Sequence, residues 1–259
     1  MKVIVNADDF GKDENATMAI IDSFGQGYIT QTTLMVNMPW CEKAVDLAKE
    51  KRVEDKVGLH LTLTEGRPLS TEISKCERFC DKNGNFTRNG VWSKTWVPFT
   101  AKESWALEIE LRAQIEKFLS FNLPMRHCDG HHHVHILLPV FYVLKKLLYE
   151  YDFSSVRKSV DSPWINFFHP RVFAWGMDAI RMLIMPKGIK TVNHFGSIEK
   201  ILGRVNRFKN DDVVEMMVHP RKNKNGKIVD YKSSDGRLMG DVFDDIKKCM
   251  PLLCTYREI

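Results

Sequence analysis

Histidines are concentrated in one short segment of the chain, where five of the nine lie between residues 127 and 135. On an extended backbone, side chains alternate between faces, and one face would then carry Asp129, His131, His133 and His135. A helical backbone would instead align His131 with His135. Because imidazole and carboxylate groups both bind zinc-like divalent ions, either geometry predicts a metal-competent face. A solvated histidine-rich loop is the competing interpretation.

Two adjacent aspartates follow the first predicted strand, which begins at Lys2 and is rich in β-branched residues. Such a strand has no polar face, as expected when helices cover both sides, and α/β proteins place their sites at its carboxyl end. Neighbouring residues of a strand point to different sides, so Asp8 and Asp9 are suited to separate duties. One would hold a metal ion while the other handles protons. The alternative is that one of them caps the helix that begins near Asp13.

Two further histidines belong to short apolar runs. His60 interrupts the run at 57–64, and His219 ends the run at 213–218, immediately before Pro220. A lone histidine in a strand is ordinarily a core or surface residue. Here, however, ionisable groups recur at four predicted strands, and this recurrence predicts one shared site.

Four segments carry these ionisable residues along most of the chain: VNADDFG at 5–11, GLHLTLTEGRPL at 58–69, HCDGHHHVH at 127–135 and EMMVHP at 215–220. In this order and spacing they resemble the YdjC-like carbohydrate deacetylases, a family that includes chitooligosaccharide deacetylases. The resemblance implies an α/β fold, specifically a distorted and incomplete TIM-like (β/α) barrel with about seven βα repeats. It also implies an activity, the removal of an acetyl group from an N-acetylated sugar or oligosaccharide.

The resemblance implies a role for each matched position. One divalent ion, Mg²⁺ or Zn²⁺, would be held by Asp9, His60 and His131. Asp8 would be the catalytic base, and His219 would act as an acid or transition-state partner. A metal-bound water would then attack the acetyl carbonyl, because the ion both activates water at neutral pH and polarises the carbonyl.

Four more residues are assigned to ligand support or substrate contact: Asp129, His133, His135 and Arg157. Asp129 would orient the ring of a ligand histidine, whereas Arg157 either contacts substrate or is a surface cation on a predicted strand at 155–159. The spacing of the histidines leaves a second ligand set open, in which an i, i+4 pair of histidines joins Asp9 in place of His60. The members of that pair are His131 and His135.

The overall composition is typical of an enzyme domain. With 259 residues, of which 44% are hydrophobic, the chain is long enough for one α/β barrel domain over 1–259, with a turn-rich insertion at about 67–97. A net charge of +5 from scattered basic residues argues against nucleic-acid binding. No run approaches the roughly 18 apolar residues of a membrane helix. The expected partner is an N-acetylated carbohydrate, and a homo-oligomer is compatible with the sequence.

Cysteine usage and the start of the sequence favour a cytoplasmic protein. The six cysteines are dispersed, and no hydrophobic signal peptide precedes the first strand. Cys76 and Cys80 form a CxxxC pair that is compatible with a metal site or a disulfide, although no second pair accompanies it.

Strand and helix patterns alternate along the chain, as in a parallel α/β barrel. Helices are predicted from Asp13, over about 40–51, over 102–121 and from Pro139, and a strand is predicted over 29–36. Residues 161–190 show no clear periodicity.

The leading functional hypothesis is therefore a metal-dependent deacetylase of an N-acetylated sugar. One alternative keeps the metal and the barrel but acts on another sugar bond, such as a phosphoester, or isomerises a sugar. Another is a metal- or carbohydrate-binding protein without turnover. Asp8 disfavours the latter, because a binding site needs no spare base.

Overall fold

The computed structural model describes residues 1–93, 97–158, 183–233, 235–250 and 252–259, in which strands and helices alternate. The strands are β1 (Lys2–Phe10), β2 (Gln31–Leu34), β3 (Val57–Leu61), β4 (His127–Gly130), β5 (Ser155–Val156), β6 (His194–Ser197), β7 (Val213–Val218), β8 (Pro220–Lys222), β9 (Ile228–Asp230) and β10 (Leu252–Leu253). The helices are α1 (Glu14–Gly25), α2 (Cys41–Glu50), α3 (Thr71–Ser74), α4 (Arg88–Ser93), α5 (Ala101–Ser120), α6 (Leu138–Glu150), α7 (Ile198–Leu202) and α8 (Met239–Cys249). Short 3₁₀ turns lie at Glu54–Lys56, His131–Ile136, Val205–Arg207 and Tyr256–Glu258.

Parallel pairing organises the main sheet. Among the described residues its strand order is β5-β4-β3-β2-β1-β7-β6, and β10 pairs with the start of β1. A parallel bridge joins Ser155 of β5 to Lys190, which precedes β6 along the chain, so the two edges of the sheet approach each other. This arrangement fits the predicted α/β fold with an incomplete barrel. The separate pair β8 and β9 forms an antiparallel hairpin.

The parallel direction of the strands brings their carboxyl ends to one edge of the sheet. Residues 3–10 of β1 are all buried, as predicted for a central strand covered on both faces. The surrounding helices bury apolar side chains against the sheet, including Ile20 of α1, Leu111 of α5 and Leu144 of α6. This core positions the side chains at the strand ends.

Helix capping explains where two predicted helices begin. The Asp13 side chain accepts a hydrogen bond from the Ala16 N–H, so Asp13 caps α1 and neither Asp8 nor Asp9 does. Thr100 and Glu103 form a capping box at the start of α5, which therefore begins close to the predicted residue 102. Helix α2 likewise lies within one residue of its predicted bounds.

The turn-rich segment at about 67–97 contains α3, α4 and an antiparallel bridge between Cys80 and Phe86. The Glu110 carboxylate of α5 accepts hydrogen bonds from the backbone N–H groups of Leu69 and Ser70, which fastens the start of this segment to the main body. Residues 94–96 are outside the described residues.

Two predicted strands are shorter than expected. Strand β2 covers four residues, Gln31–Leu34, of the predicted 29–36, and β5 covers two, Ser155–Val156. The end of the predicted strand at residue 159, and residues 161–182 of the segment without periodicity, lie outside the described residues.

In the part of the chain that the structure describes, no helix is both long and apolar enough to span a bilayer. All six cysteines belong to that part and carry free thiols, so the Cys76 and Cys80 pair forms no disulfide. Burial raises the pKa of the Cys80 thiol to about 12.

Candidate metal centre

The two aspartates at the end of β1 lie beside the same histidine. The pairing of β1 with β2 shifts register between Ala7 and Phe10, and Asp9 adopts a left-handed backbone with φ of 72°. This irregularity interrupts the regular pairing at the end of the strand, and the carboxylates of both Asp8 and Asp9 lie close to His60. A left-handed backbone in a residue other than glycine carries strain, which is commonly found at functional sites.

His60 and His131 surround the Asp9 carboxylate. His131 Nδ1 lies 2.9 Å from Asp9 Oδ1, and His60 Nε2 lies 3.5 Å from the same oxygen. All three side chains are buried. Burial would raise the pKa of Asp9, but its contacts with His131 and His60 outweigh this and hold the pKa well below the usual range. The structure thus brings together the three residues predicted as ligands.

Asp129 supports His60 from the neighbouring strand. The two residues are direct partners in the pairing of β3 with β4, and His60 Nδ1 donates to Asp129 Oδ1 over 2.6 Å. The Thr33 hydroxyl of β2 donates to the second Asp129 oxygen over 3.1 Å. Burial lowers the pKa of His60, yet the Asp129 carboxylate outweighs this effect and raises it to about 10. The carboxylates around His60 therefore favour positive charge at this point.

The histidine segment is neither a continuous strand nor a regular helix, contrary to both geometries considered from its sequence. Strand β4 ends at Gly130, and a 3₁₀ turn follows in which His132 and His133 are left-handed, with φ of 51° and 57°. Because this turn breaks the alternation, Asp129, His131, His133 and His135 do not form one continuous face. His135 is fully buried, and the metal-competent group that contains Asp9 includes His60 in its place.

Arg157 is fully buried at the centre of the site, so the prediction of a surface cation is wrong. Its two terminal nitrogens grip both Asp8 oxygens, at 2.8 and 2.6 Å, and one of them lies 2.7 Å from Asp129. Its Nε donates to Glu215 over 2.7 Å. Burial would raise the pKa of Asp8, but the guanidinium outweighs burial and holds it far below the usual range.

His219 is a further neighbour of Asp8. Its Nε2 is 3.9 Å from Asp8 Oδ2 and accepts a hydrogen bond from the Lys232 ammonium over 3.0 Å. Burial, followed by the positive charge of Lys232, lowers the pKa of His219 to about 3. The imidazole is therefore neutral near physiological pH.

Sequence reasoning missed several residues of the site. His131 Nε2 lies 3.1 Å from Glu65, which follows β3 and also binds Lys12 over 2.6 Å. Because Glu65 belongs to the segment at 58–69, the motif in that segment could have identified it. Lys232, from the loop after β9, carried no signal in the sequence.

The arrangement fits a divalent cation. One carboxylate and two imidazoles, on Asp9, His60 and His131, offer ligand atoms that all lie within 4.8 Å of one another. In the described part of the chain no hydrogen-bond partner reaches the buried Nε2 of His60. Asp8, His60 and Asp129 form a second close group, but Arg157 already binds both of its carboxylates.

A family model described as YdjC-like protein matches residues 2–244. A carbohydrate deacetylase of Clostridium beijerinckii is 42% identical over 59% of this chain and 58% of its own length. A second, from Brevibacillus brevis, is 39% identical over 64% of this chain and 60% of its own length. These two matches thus span less than two thirds of either relative. Carbohydrate deacetylase 1 of Listeria innocua is 35% identical over 85% of this chain and 81% of its own length.

A solved structure from Enterococcus faecalis V583, described as a "putative cellobiose-phosphate cleavage protein", superposes with a TM-score of 0.74. It covers 99% of this chain and 98% of its own length at 21% sequence identity. This likeness establishes that the two chains share their fold.

Proposed function

The chain belongs to the YdjC-like protein family, and on that premise we propose that it is a metal-dependent carbohydrate deacetylase that hydrolyses the amide of an N-acetylated sugar. The observation that best supports the proposal is the convergence of Asp9, His60 and His131 beside an ionised Asp8. A site that only bound metal would have no need of the additional carboxylate.

We propose that Asp9, His60 and His131 hold one divalent ion, Mg²⁺ or Zn²⁺. When bound, the ion supplies Lewis-acid chemistry, lowering the pKa of water and polarising the acetyl carbonyl. Asp129 orients His60 through its Nδ1–H, the carboxylate–histidine pairing typical of metal ligands. Glu65 orients His131 in the same way from the other side of the site.

Asp8 is the proposed base, and its surroundings keep it ionised and fixed in direction. Arg157 grips both carboxylate oxygens, and Asn6 Nδ2 donates to Oδ1 over 2.8 Å. A general base must be deprotonated and within reach of the proton that it accepts. The lowered pKa of Asp8 meets the first requirement, and its fixed orientation beside the ligand group meets the second.

We place His219 and Lys232 on the side of the leaving amine. Since His219 is neutral, its Nε2 accepts the Lys232 hydrogen bond, and the same nitrogen lies 3.9 Å from Asp8 Oδ2. Of the two roles predicted for His219, acid or transition-state partner, a neutral imidazole favours the second, and we propose the neighbouring Lys232 ammonium as the donor to the amine. His133 is a proposed substrate contact, because its buried Nδ1 has no hydrogen-bond partner within the described residues.

We also propose that residues 1–259 act as one domain of about seven βα repeats with an insertion at about 67–97. The seven parallel strands of the main path, counted over the described residues, support the number of repeats. The bonds from Glu110 to the backbone at 69 and 70 support attachment of the insertion to the same body.

Acetate release tests the activity. The protein is stripped with a chelator, reloaded separately with Mg²⁺ and Zn²⁺, and incubated with a panel of N-acetylated mono- and oligosaccharides. We expect acetate from at least one sugar with one of the metals and none from the stripped protein. Phosphate release or sugar isomerisation without acetate would favour another bond, and saturable sugar binding without any product would favour a binding protein.

Metal content separates the two proposed ligand sets. We expect His60→Ala to lower the metal bound per protein at least about tenfold, because it removes one of three ligands, and His135→Ala to leave it nearly unchanged. The measurement is metal stoichiometry by mass spectrometry at equal free metal. His194→Ala is the control, since that histidine pairs with Asp212 away from the ligand group. Metal loss in the His135 variant alone would favour the i, i+4 set.

A further inference from the structure

A buried tyrosine in the C-terminal turn is linked to Asp8 by a chain of charged side chains. The Tyr256 hydroxyl donates to Glu215 Oε2 over 2.6 Å, and Glu215 Oε1 accepts from Arg157 Nε over 2.7 Å. Arg157 then grips both oxygens of Asp8. All four side chains are buried, so water does not compete for these hydrogen bonds.

A second route leads from the backbone of the same tyrosine to the same carboxylate. The Tyr256 N–H donates to Gln31 Oε1 over 2.9 Å, and Gln31 Nε2 donates to Asn6 Oδ1 over 2.8 Å. Asn6 Nδ2 completes the route by donating to Asp8 Oδ1 over 2.8 Å. Gln31 and Asn6 are fully buried, and the two routes together form a closed ring of hydrogen bonds.

The Tyr256 ring is itself fixed in place. It stacks on the His127 ring with centroids 3.6 Å apart and an interplanar angle of 17°. Tyr256 lies beyond residues 2–244, which the family model matches, so no motif of that region accounts for it.

We propose that Tyr256 is a positioning residue for the Asp8 carboxylate, acting through its hydroxyl on Glu215 and Arg157 and through its backbone N–H on Gln31 and Asn6. This inference rests on the proposed role of Asp8 as the base. The turn at Tyr256 would then affect the reaction indirectly, because none of its residues would touch the substrate.

In this proposal, the Tyr256 hydroxyl controls the charge of Glu215. Among the described residues, the charged or titratable groups that act most strongly on Glu215 are Arg157, Tyr256, Asp129 and Asp8. Its neighbour on β6 is the apolar Phe195. Burial raises the pKa of Glu215 to about 7, Asp129 and Asp8 act in the same direction, and Arg157 and the Tyr256 hydroxyl oppose them.

Removal of the hydroxyl therefore favours a protonated, neutral Glu215 near neutral pH. Arg157 would then lose the negative charge of Glu215 as a partner. More of its positive charge would act on Asp8. Asp8 is bound through both of its oxygens by Arg157, and a carboxylate that is held more strongly by this guanidinium is a weaker hydrogen-bond acceptor for the reacting water. The expected consequence is a slower reaction whose deficit depends on pH.

Carboxyl NMR tests the link between Tyr256 and Glu215 without relying on activity. Tyr256→Phe keeps the stacked ring and the backbone N–H and removes only the hydroxyl. In protein labelled with ¹³C at glutamate Cδ, the Glu215→Gln variant identifies the Glu215 resonance. We expect that resonance to titrate near pH 7 in the wild type and about one unit higher in Tyr256→Phe, because a donor to the charged form is lost. An unchanged midpoint would overturn the inference.

The pH dependence of kcat tests the effect on Asp8. We expect kcat for Tyr256→Phe to be about fivefold below wild type near pH 7, because a one-unit shift lowers the ionised fraction of Glu215 from about a half to about a tenth. The deficit should approach about tenfold at lower pH and disappear about two units above pH 7, where Glu215 is ionised again, with KM nearly constant. Glu215→Gln should show the low kcat at every pH, and adding Tyr256→Phe to it should cause no further loss. Tyr149→Phe, at an exposed tyrosine of α6, is the control and should match wild type.

Other results contradict the inference in identifiable ways. A deficit of equal size at every pH would indicate a merely structural role for the hydroxyl, and an additive loss in the double variant would show that Tyr256 does not act through Glu215. A wild-type protein that releases no acetate from any sugar would instead contradict the proposed function. The NMR titration would then still decide whether Tyr256 controls Glu215.

Discussion

Asp8→Asn is expected to lower kcat for acetate release by about a thousandfold while the protein retains its metal. The amide has nearly the shape of the carboxylate but cannot accept a proton, and general base catalysis typically contributes about a hundred to ten-thousandfold. The proposed ligands Asp9, His60 and His131 are untouched by the change. The measurements are steady-state acetate release and metal content by mass spectrometry. Asp46→Asn, at an exposed aspartate of α2, is the matched control.

Two outcomes would contradict the assignment of Asp8 as the base, each for a different reason. Full activity in Asp8→Asn would show that another group accepts the proton. Loss of metal together with loss of activity would show that Asp8 is a ligand, as in the alternative close group that it forms with His60 and Asp129. Arg157, which binds both carboxylates of that group, is the reason to expect the metal to remain.

The three proposed ligands were assigned through the family resemblance, which depends on short, chemically distinctive segments, whereas histidine spacing alone left His135 as an alternative to His60. Asp9 follows a buried strand, His60 interrupts an apolar run, and His131 begins the run of three histidines. Parallel strands bring their carboxyl ends to one edge, so the convergence of these residues follows from the predicted fold alone. The structure confirms their proximity, and their role as ligands stays a prediction.

The backbone between the histidines could not be predicted in the same way. Periodicity arguments assume a regular strand or a regular helix, whereas His132 and His133 both adopt left-handed conformations that histidine rarely takes. The directions of the His132 and His133 rings are therefore set by an irregular backbone. A similar irregularity lies at Asp9, where the backbone is left-handed and the pairing of β1 with β2 shifts register, and the sequence contains no signal for it.

Arg157 shows why long-range electrostatic contacts could not be predicted from the sequence. Considered alone, one arginine near a short strand is most simply a surface cation. Within the described ranges, its carboxylate partners Asp8, Asp129 and Glu215 come from three separate strands, β1, β4 and β7. Their convergence on one point depends on strand order in the sheet, which no local pattern records. Tyr256 and Lys232 were missed for the same reason.

Arg157→Met is expected to lower the free energy of unfolding by about 3–5 kcal/mol at pH 8, because it leaves three buried carboxylates without their cation. Equilibrium unfolding in urea at a fixed metal concentration measures this loss. The matched control is Arg237→Met, which breaks a solvent-exposed pair with Asp245 and should lower the free energy of unfolding far less. Adding Asp8→Asn to Arg157→Met should recover about 1–2 kcal/mol, because it removes one of the unpaired charges.

The cost of Arg157→Met should also depend on pH. In the wild type the pKa of Asp8 is held below its unfolded value, so its contribution to stability is present above that unfolded value and is lost as the pH falls. Without the guanidinium, burial would raise the carboxyl pKa values above their unfolded values, and the variant would lose stability as the pH rises. The two stability curves should therefore converge toward about pH 5. A difference that stayed constant from acid to alkaline pH would show that Arg157 stabilises the fold by packing rather than by neutralising these carboxylates.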